Sequence, residues 1–146
     1  MKPPPKDWPR IASALFYEDP AVAIDWLCKA FGFKCRMKVE GAEGTIMHSE
    51  LVLDGGVIMV AGTTSAHRPD ATYPRSPRQL GGANTQTMMI YVDDADAHCA
   101  HARASGAVIV QEPQTTDYGE GYWADRSYQA KDPEGHHWWF AQRISG

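Results

Sequence analysis

Apolar and polar residues alternate over residues 10–17, which predicts a strand. Asp19-Pro20 follows, a residue that caps helices and one that suits their first position. Over residues 21–31, Val22, Ile24, Trp26, Leu27 and Ala30 recur at helical spacing, and Gly32 ends the run. Strands are predicted over residues 33–40 and 45–53, joined by a turn at 41–44. Asp54-Gly55-Gly56 then turns the chain into a further strand over residues 57–61.

Residues 64–83 break this pattern with Pro69, Pro74, Pro77 and the pair Gly81-Gly82, so they predict a linker. Beyond it the same plan recurs: a strand from Thr85 ending in Asp93, a helix over 95–105, then strands over 108–111, 127–131 and 137–142. Residues 113–126, polar with glycines and aromatics, are predicted as a loop. Gly32 and Gly106 each follow their aspartates, Asp19 and Asp93, by 13 residues (32 − 19 and 106 − 93). The chain of 146 residues is therefore expected to be one domain over 1–146, built as module one (10–62), linker (63–84) and module two (85–142). Helices alternating with short antiparallel strands make the class α+β.

Composition narrows the functional classes. The 43% hydrophobic content suits a packed core, and a formal net charge of −4 gives no global attraction for nucleic acid or an anionic membrane. Three cysteines, Cys28, Cys35 and Cys99, lack metal-type spacing and leave one unpaired in any disulfide scheme, which suits a reduced, cytoplasmic protein. No stretch predicts a signal peptide or a membrane span.

The runs Phe16-Tyr17-Glu18-Asp19, Ala30-Phe31-Gly32-Phe33, Tyr91-Val92-Asp93-Asp94, Gly106-Ala107 and Asp132-Pro133-Glu134-Gly135-His136 resemble the vicinal oxygen chelate superfamily. That superfamily includes glyoxalase I, extradiol dioxygenases, fosfomycin-resistance thioltransferases and bleomycin-binding proteins. The resemblance implies two βαβββ modules forming a cupped mixed sheet around a cavity, usually in a homodimer. It also implies four metal ligands in the metal-dependent members. Here those positions fall on Ala12, Thr87, Trp139 and either Met59 or Val60, which are poor ligands for a hard divalent cation. The expectation is no cofactor, and a divalent metal only by unorthodox positions.

His48 and Glu50 lie two apart on a predicted strand and share a face, so they are the candidate catalytic acid/base pair. The competing readings are that they sit on the solvent side of an edge, or that they pair with each other and Arg126. Counting from Asp54 and Asp132 matches His48 to Arg126 and Glu50 to Tyr128, suggesting a polar ring. In His136-His137-Trp138-Trp139-Phe140, alternation sends Trp139 and His137 one way, as a candidate aromatic wall, and Trp138 the other. Thr87 and Met89 are candidate lining residues. Tyr122 and Trp123, in a glycine-hinged segment, suggest either a lid or a surface turn. Two functions remain open: a small-molecule binder without a metal, or a metal-dependent lyase or isomerase using His48 and Glu50.

Overall fold

The computed structural model describes residues 1–64 and 69–146; part of the linker thus lies outside the described residues. Its elements are β1 (Ser13–Tyr17), α1 (Pro20–Phe31), β2 (Lys34–Glu40), β3 (Ile46–Leu53), β4 (Gly56–Gly62), β5 (Met88–Tyr91), α2 (Ala95–Ala104), β6 (Val108–Asp117), β7 (Ala124–Lys131) and β8 (His137–Ser145). Two four-stranded sheets result, ordered β1-β4-β3-β2 and β5-β8-β7-β6. In each, the first strand pairs in parallel with the fourth and the remaining pairs are antiparallel, so the repeat in sequence becomes a repeat in space. Asp19 caps α1 by accepting the Val22 N–H at 3.3 Å, and Gly32 ends it in the left-handed region at φ 86°.

Both sheets turn their helix-covered faces into one shared core. Phe31 of α1 reaches across to the second sheet, its ring centroid 4.7 Å from Phe140 and 5.3 Å from Trp138. The helices are also stitched end to end. His98 and His101, one turn apart on α2, point their Nε2 atoms at the carbonyls of Phe31 (3.0 Å) and Lys29 (2.7 Å). Those carbonyls belong to the last turn of α1, where the helix leaves acceptors without partners of its own. With Nε2 of His98 donating, its Nδ1 accepts the Tyr128 hydroxyl at 2.5 Å.

Burial pushes the His98 imidazole below its ordinary value of 6.5, ahead of an opposing contribution from the Phe31 carbonyl. A histidine depressed in the folded state stabilises the fold fully above the unfolded value and loses that contribution as pH falls through the folded one. Unfolding free energy is therefore expected to decline as pH drops below about 6.5, with the slope reduced in His98→Gln. Urea titrations at several pH values check this; an unchanged slope in the variant would assign the acid sensitivity elsewhere.

The chain order of residues 113–126 differs from the loop predicted above. β6 runs to Asp117 and β7 begins at Ala124, leaving only residues 118–123 as a connection. Pro113 is tolerated because β6 is an edge strand and the proline falls in the register break between Gln111 and Gln114. The linker is fixed where it is described. A 3-10 turn at Pro77–Leu80 is closed by a capping box between Ser76 and Gln79, and Ser76 Oγ donates to Glu134 at 2.6 Å. Glu134 also accepts the backbone N–H groups of Glu18 (2.7 Å) and Asp19 (3.0 Å), tying the start of α1 to the β7–β8 turn. Among the described residues, no helix is long and apolar enough to cross a membrane.

Candidate ligand-binding site

Because the core takes one face of each sheet, the opposite faces lie open, one half-cup per module. Pleating decides which residues line them. In the first sheet Leu15, Leu51 and Val60 go to the core, so Ala14, His48, Glu50 and Met59 face the half-cup. In the second, Tyr128, Trp138 and Phe140 go to the core, so Met89, Ser127, Gln129, His137, Trp139 and Ala141 face the other.

The first half-cup carries a charged relay. Glu50, 6% exposed, accepts Arg36 Nε at 2.8 Å on one oxygen and lies 3.0 Å from His48 Nε2 on the other. The contact with His48 leads in holding the Glu50 carboxyl below its usual range; burial opposes it, and Arg36 adds to the lowering. Arg36 reaches Glu50 because β2 is irregular between Cys35 and Met37, where the extra residue turns towards the open face. The N-terminal arm covers this arginine: the Asp7 carbonyl accepts Arg36 Nη1 at 2.8 Å, and the Trp8 ring lies 5.4 Å from its guanidinium carbon. Neither Arg36 nor the arm was marked by the sequence pattern, since one arginine in a strand and a proline-rich leader carry no spacing signal.

The second half-cup is an open depression of about 360 Å³ lined by Met89, Gln111, Gln114, Thr116, Tyr118, Asp125, Ser127, Trp139 and Ala141. Trp139 and Met89 pair across the β5–β8 ladder and give it an apolar floor. The amides, hydroxyls and phenol around them supply donors and acceptors, and the one carboxylate of the lining, Asp125, is paired with Arg143 at 2.7 Å. That mixture suits a small, flat, largely uncharged ligand. His137 lies beside it, its Nδ1 3.1 Å from Gln129 Nε2. Thr87 is exposed two residues ahead of Met89, at the lead into β5.

Arg126 and Tyr128 are placed elsewhere, a correction to the polar ring expected above. Arg126 bonds Asp96 of α2 through two nitrogens (2.5 and 2.7 Å), and Tyr128 is fully buried beneath that helix against His98. The cause is register. Leu51 opposite Ile58 corresponds to Ala130 opposite Trp138, so Glu50 matches Gln129 and His48 matches Ser127. The Asp132 turn is longer than the Asp54 turn, and counting from the aspartates slips one residue, which sends each side chain to the other face.

Trp123 is anchored rather than free. Its indole N–H donates to Asp125 at 3.1 Å and its ring lies 4.8 Å from the Arg143 guanidinium carbon; Arg143 in turn bonds Asp125 (2.7 Å) and the Tyr91 hydroxyl (2.8 Å). Tyr122 stands outside this cluster at 66% exposed, in an edge contact with Trp123.

The four positions that the resemblance links to metal are Ala12, Met59, Thr87 and Trp139; register selects Met59 over Val60, which is buried in the core. They offer a hydroxyl and a thioether but no imidazole or carboxylate, and so do not fit a hard divalent cation. Among the described residues, no group of three or more His, Cys, Asp or Glu side chains is arranged to hold a metal.

Paired βαβββ modules with open half-cups define a scaffold shared by binding proteins and enzymes. Residues 10–140 match the family described as the Glyoxalase/Bleomycin resistance protein/Dioxygenase superfamily, and the chain belongs to that family. An uncharacterized protein of Mycobacterium bovis is 30% identical over 136 residues, covering 93% of this chain and 84% of its own. Among solved structures, TioX from Micromonospora sp. ML1 is 33% identical with a TM-score of 0.69, covering 93% of this chain and 99% of its own. TnmS3, an antibiotic binding protein from Streptomyces sp. CB03234, shares the fold with a TM-score of 0.64 at 18% identity, over 91% of this chain and 93% of its own.

Proposed function

We propose that this protein binds a small, flat, aromatic molecule noncovalently against Trp139, without a metal or other cofactor. The observation that carries the reading is the second half-cup: one tryptophan and one methionine as floor, ringed by amides, hydroxyls and a phenol, with one carboxylate, Asp125, that is already paired with Arg143. Support also comes from the four family ligand positions, whose donor set does not fit a divalent cation, and from the antibiotic binding described for TnmS3. The chain would act in the cytoplasm, with neither nucleic acid nor a membrane as partner.

The reading includes a homodimer. Among the described residues β1 and β5 are edge strands whose outer sides lack a partner strand, and they flank a groove of about 400 Å³ whose lining includes Ile11, Ala12, Met89 and Tyr91. Ile11 is 89% exposed there. Unpaired apolar edges of this kind favour burial against another chain, and a second copy would set one module's half-cup opposite the other module's. Sedimentation velocity is expected to give twice the chain mass. The binding test is tryptophan fluorescence during titration with a panel of planar aromatic compounds, run with and without Zn²⁺ and Ni²⁺. Saturable quenching that ignores the metals supports the reading; binding that needs one of them overturns it.

A second reading rests on the Arg36–Glu50–His48 relay. A carboxylate that fixes one imidazole nitrogen leaves the other available for proton transfer. On this reading the protein is a lyase or isomerase of the glyoxalase kind, with His48 as the acid/base. His48→Ala is then expected to abolish turnover of a hemithioacetal substrate while the unfolding midpoint stays close to wild type, since His48 lies at the surface of the half-cup. Equal turnover in the variant removes the reading.

A further inference from the structure

Cys28 and Cys35 stand on either side of the Gly32 turn, Cys28 near the end of α1 and Cys35 as the second residue of β2. Cys35 pairs with Leu51, a fully buried core residue, so its side chain belongs to the helix-covered face of the sheet. Cys28 packs against the core from the helix above that same face. This placement sets the Cys28 sulfur where it interacts with both the sulfur and the backbone amide of Cys35. Burial raises the Cys28 thiol above its ordinary value, the Cys35 sulfur acts in the same direction, and the backbone amide of Cys35 opposes them. Access divides the pair: Cys35 is exposed, with only a 3.5 Å contact from its sulfur to the Met37 carbonyl, and Cys28 is partly buried. Cys99 is buried on the other helix.

We propose that Cys28 and Cys35 form a dithiol that closes to an internal disulfide on meeting a low-molecular-weight disulfide such as oxidised glutathione. The exposed Cys35 thiolate attacks one sulfur of the small disulfide, forming a mixed disulfide and releasing one small thiolate. Cys28 then loses its proton to solvent and attacks Cys35 Sγ, expelling the second small thiolate. Two protein thiols give up two electrons and two protons, and one small disulfide becomes two thiols. Cys35 is the entry point because it is exposed; Cys28, partly buried behind it, is the resolving group once it has lost its proton. Gly32, whose φ of 86° reverses the chain between them, brings the two residues back alongside each other. The bridge would lie beside Arg36, the arginine of the first half-cup, and so join the α1 end to the irregular segment that positions it.

The test uses the full-length, reduced protein incubated with excess oxidised glutathione, quenched in acid, and read by intact mass and peptide mapping. The expected product has lost two hydrogens, carries no glutathione and contains a Cys28–Cys35 peptide pair. Cys28→Ser is expected to retain one glutathione on Cys35, Cys35→Ser to form no internal bridge, and Cys99→Ser to behave as wild type. Glutathione held on Cys35 of the wild-type protein, with Cys28 still open to alkylation after unfolding, would overturn the proposal. So would a wild-type chain that remains fully reduced.

Discussion

Asp132→Ala is expected to cost the fold about 4 kcal/mol, more than a surface substitution by an order of magnitude. Asp132 is 4% exposed and both its oxygens are used. One accepts the Tyr17 hydroxyl at 2.6 Å and the Trp138 indole N–H at 3.1 Å. The other accepts the backbone N–H groups of Glu134 and His136, both at 3.1 Å. Alanine removes all four acceptor contacts at once. Tyr17 and Trp138 are each almost fully buried, so their donors would be stranded where water does not reach, at about 1–3 kcal/mol for each.

The same aspartate joins the modules, because Tyr17 ends β1 and Asp132 follows β7. Burial, then the Asp132 charge, pushes the Tyr17 phenol well above its ordinary value, so the hydroxyl stays a donor throughout the accessible pH range. Urea unfolding of Asp132→Ala, Tyr17→Phe and the double variant measures the coupling. The double variant is expected to lose clearly less than the sum of the singles, since they share a bond. A loss under about 1 kcal/mol in Asp132→Ala would show that the turn holds without its carboxylate.

The modules were legible in the sequence because their landmarks are local. Asp19 and Gly32 mark the start and stop of α1, while α2 is capped by Asp94, one residue past Asp93, and ends at Ser105 just before Gly106; such positions depend on neighbours a few residues away. The alternation of β8 was legible too: His137 and Trp139 lie on one face and Trp138 and Phe140 on the other, as a period of two predicts. What was lost depended on longer-range register. The Asp132 turn carries more residues than the Asp54 turn, so Arg126 and Tyr128 were set on the wrong face by a single step. Gln114 and Thr116 were hidden because Pro113 and a polar composition read as loop. An edge strand with one open face has no need of the apolar alternation that marks a strand in sequence. Arg36 depends on an irregularity in β2, which no local pattern announces.

Trp139→Ala is expected to weaken ligand binding about 100-fold while changing unfolding free energy by less than about 1 kcal/mol. Trp139 forms the floor of the second half-cup with Met89, and a flat ligand would lose its main stacking surface on truncation. The adjacent tryptophan supplies the control. Trp138 is fully buried on the opposite face, against Phe31 and Phe33, with its indole N–H on Asp132. Trp138→Ala is expected to cost about 3–5 kcal/mol of stability through the cavity it leaves. Neighbouring residues of one type thus separate the two faces of the sheet: one substitution acts on affinity, the other on folding. Calorimetric titration with a compound selected from the aromatic panel, paired with urea unfolding of each variant, reads both. Binding by Trp139→Ala equal to wild type would remove the second half-cup as the ligand site, and a stability loss there as large as in Trp138→Ala would make Trp139 part of the core.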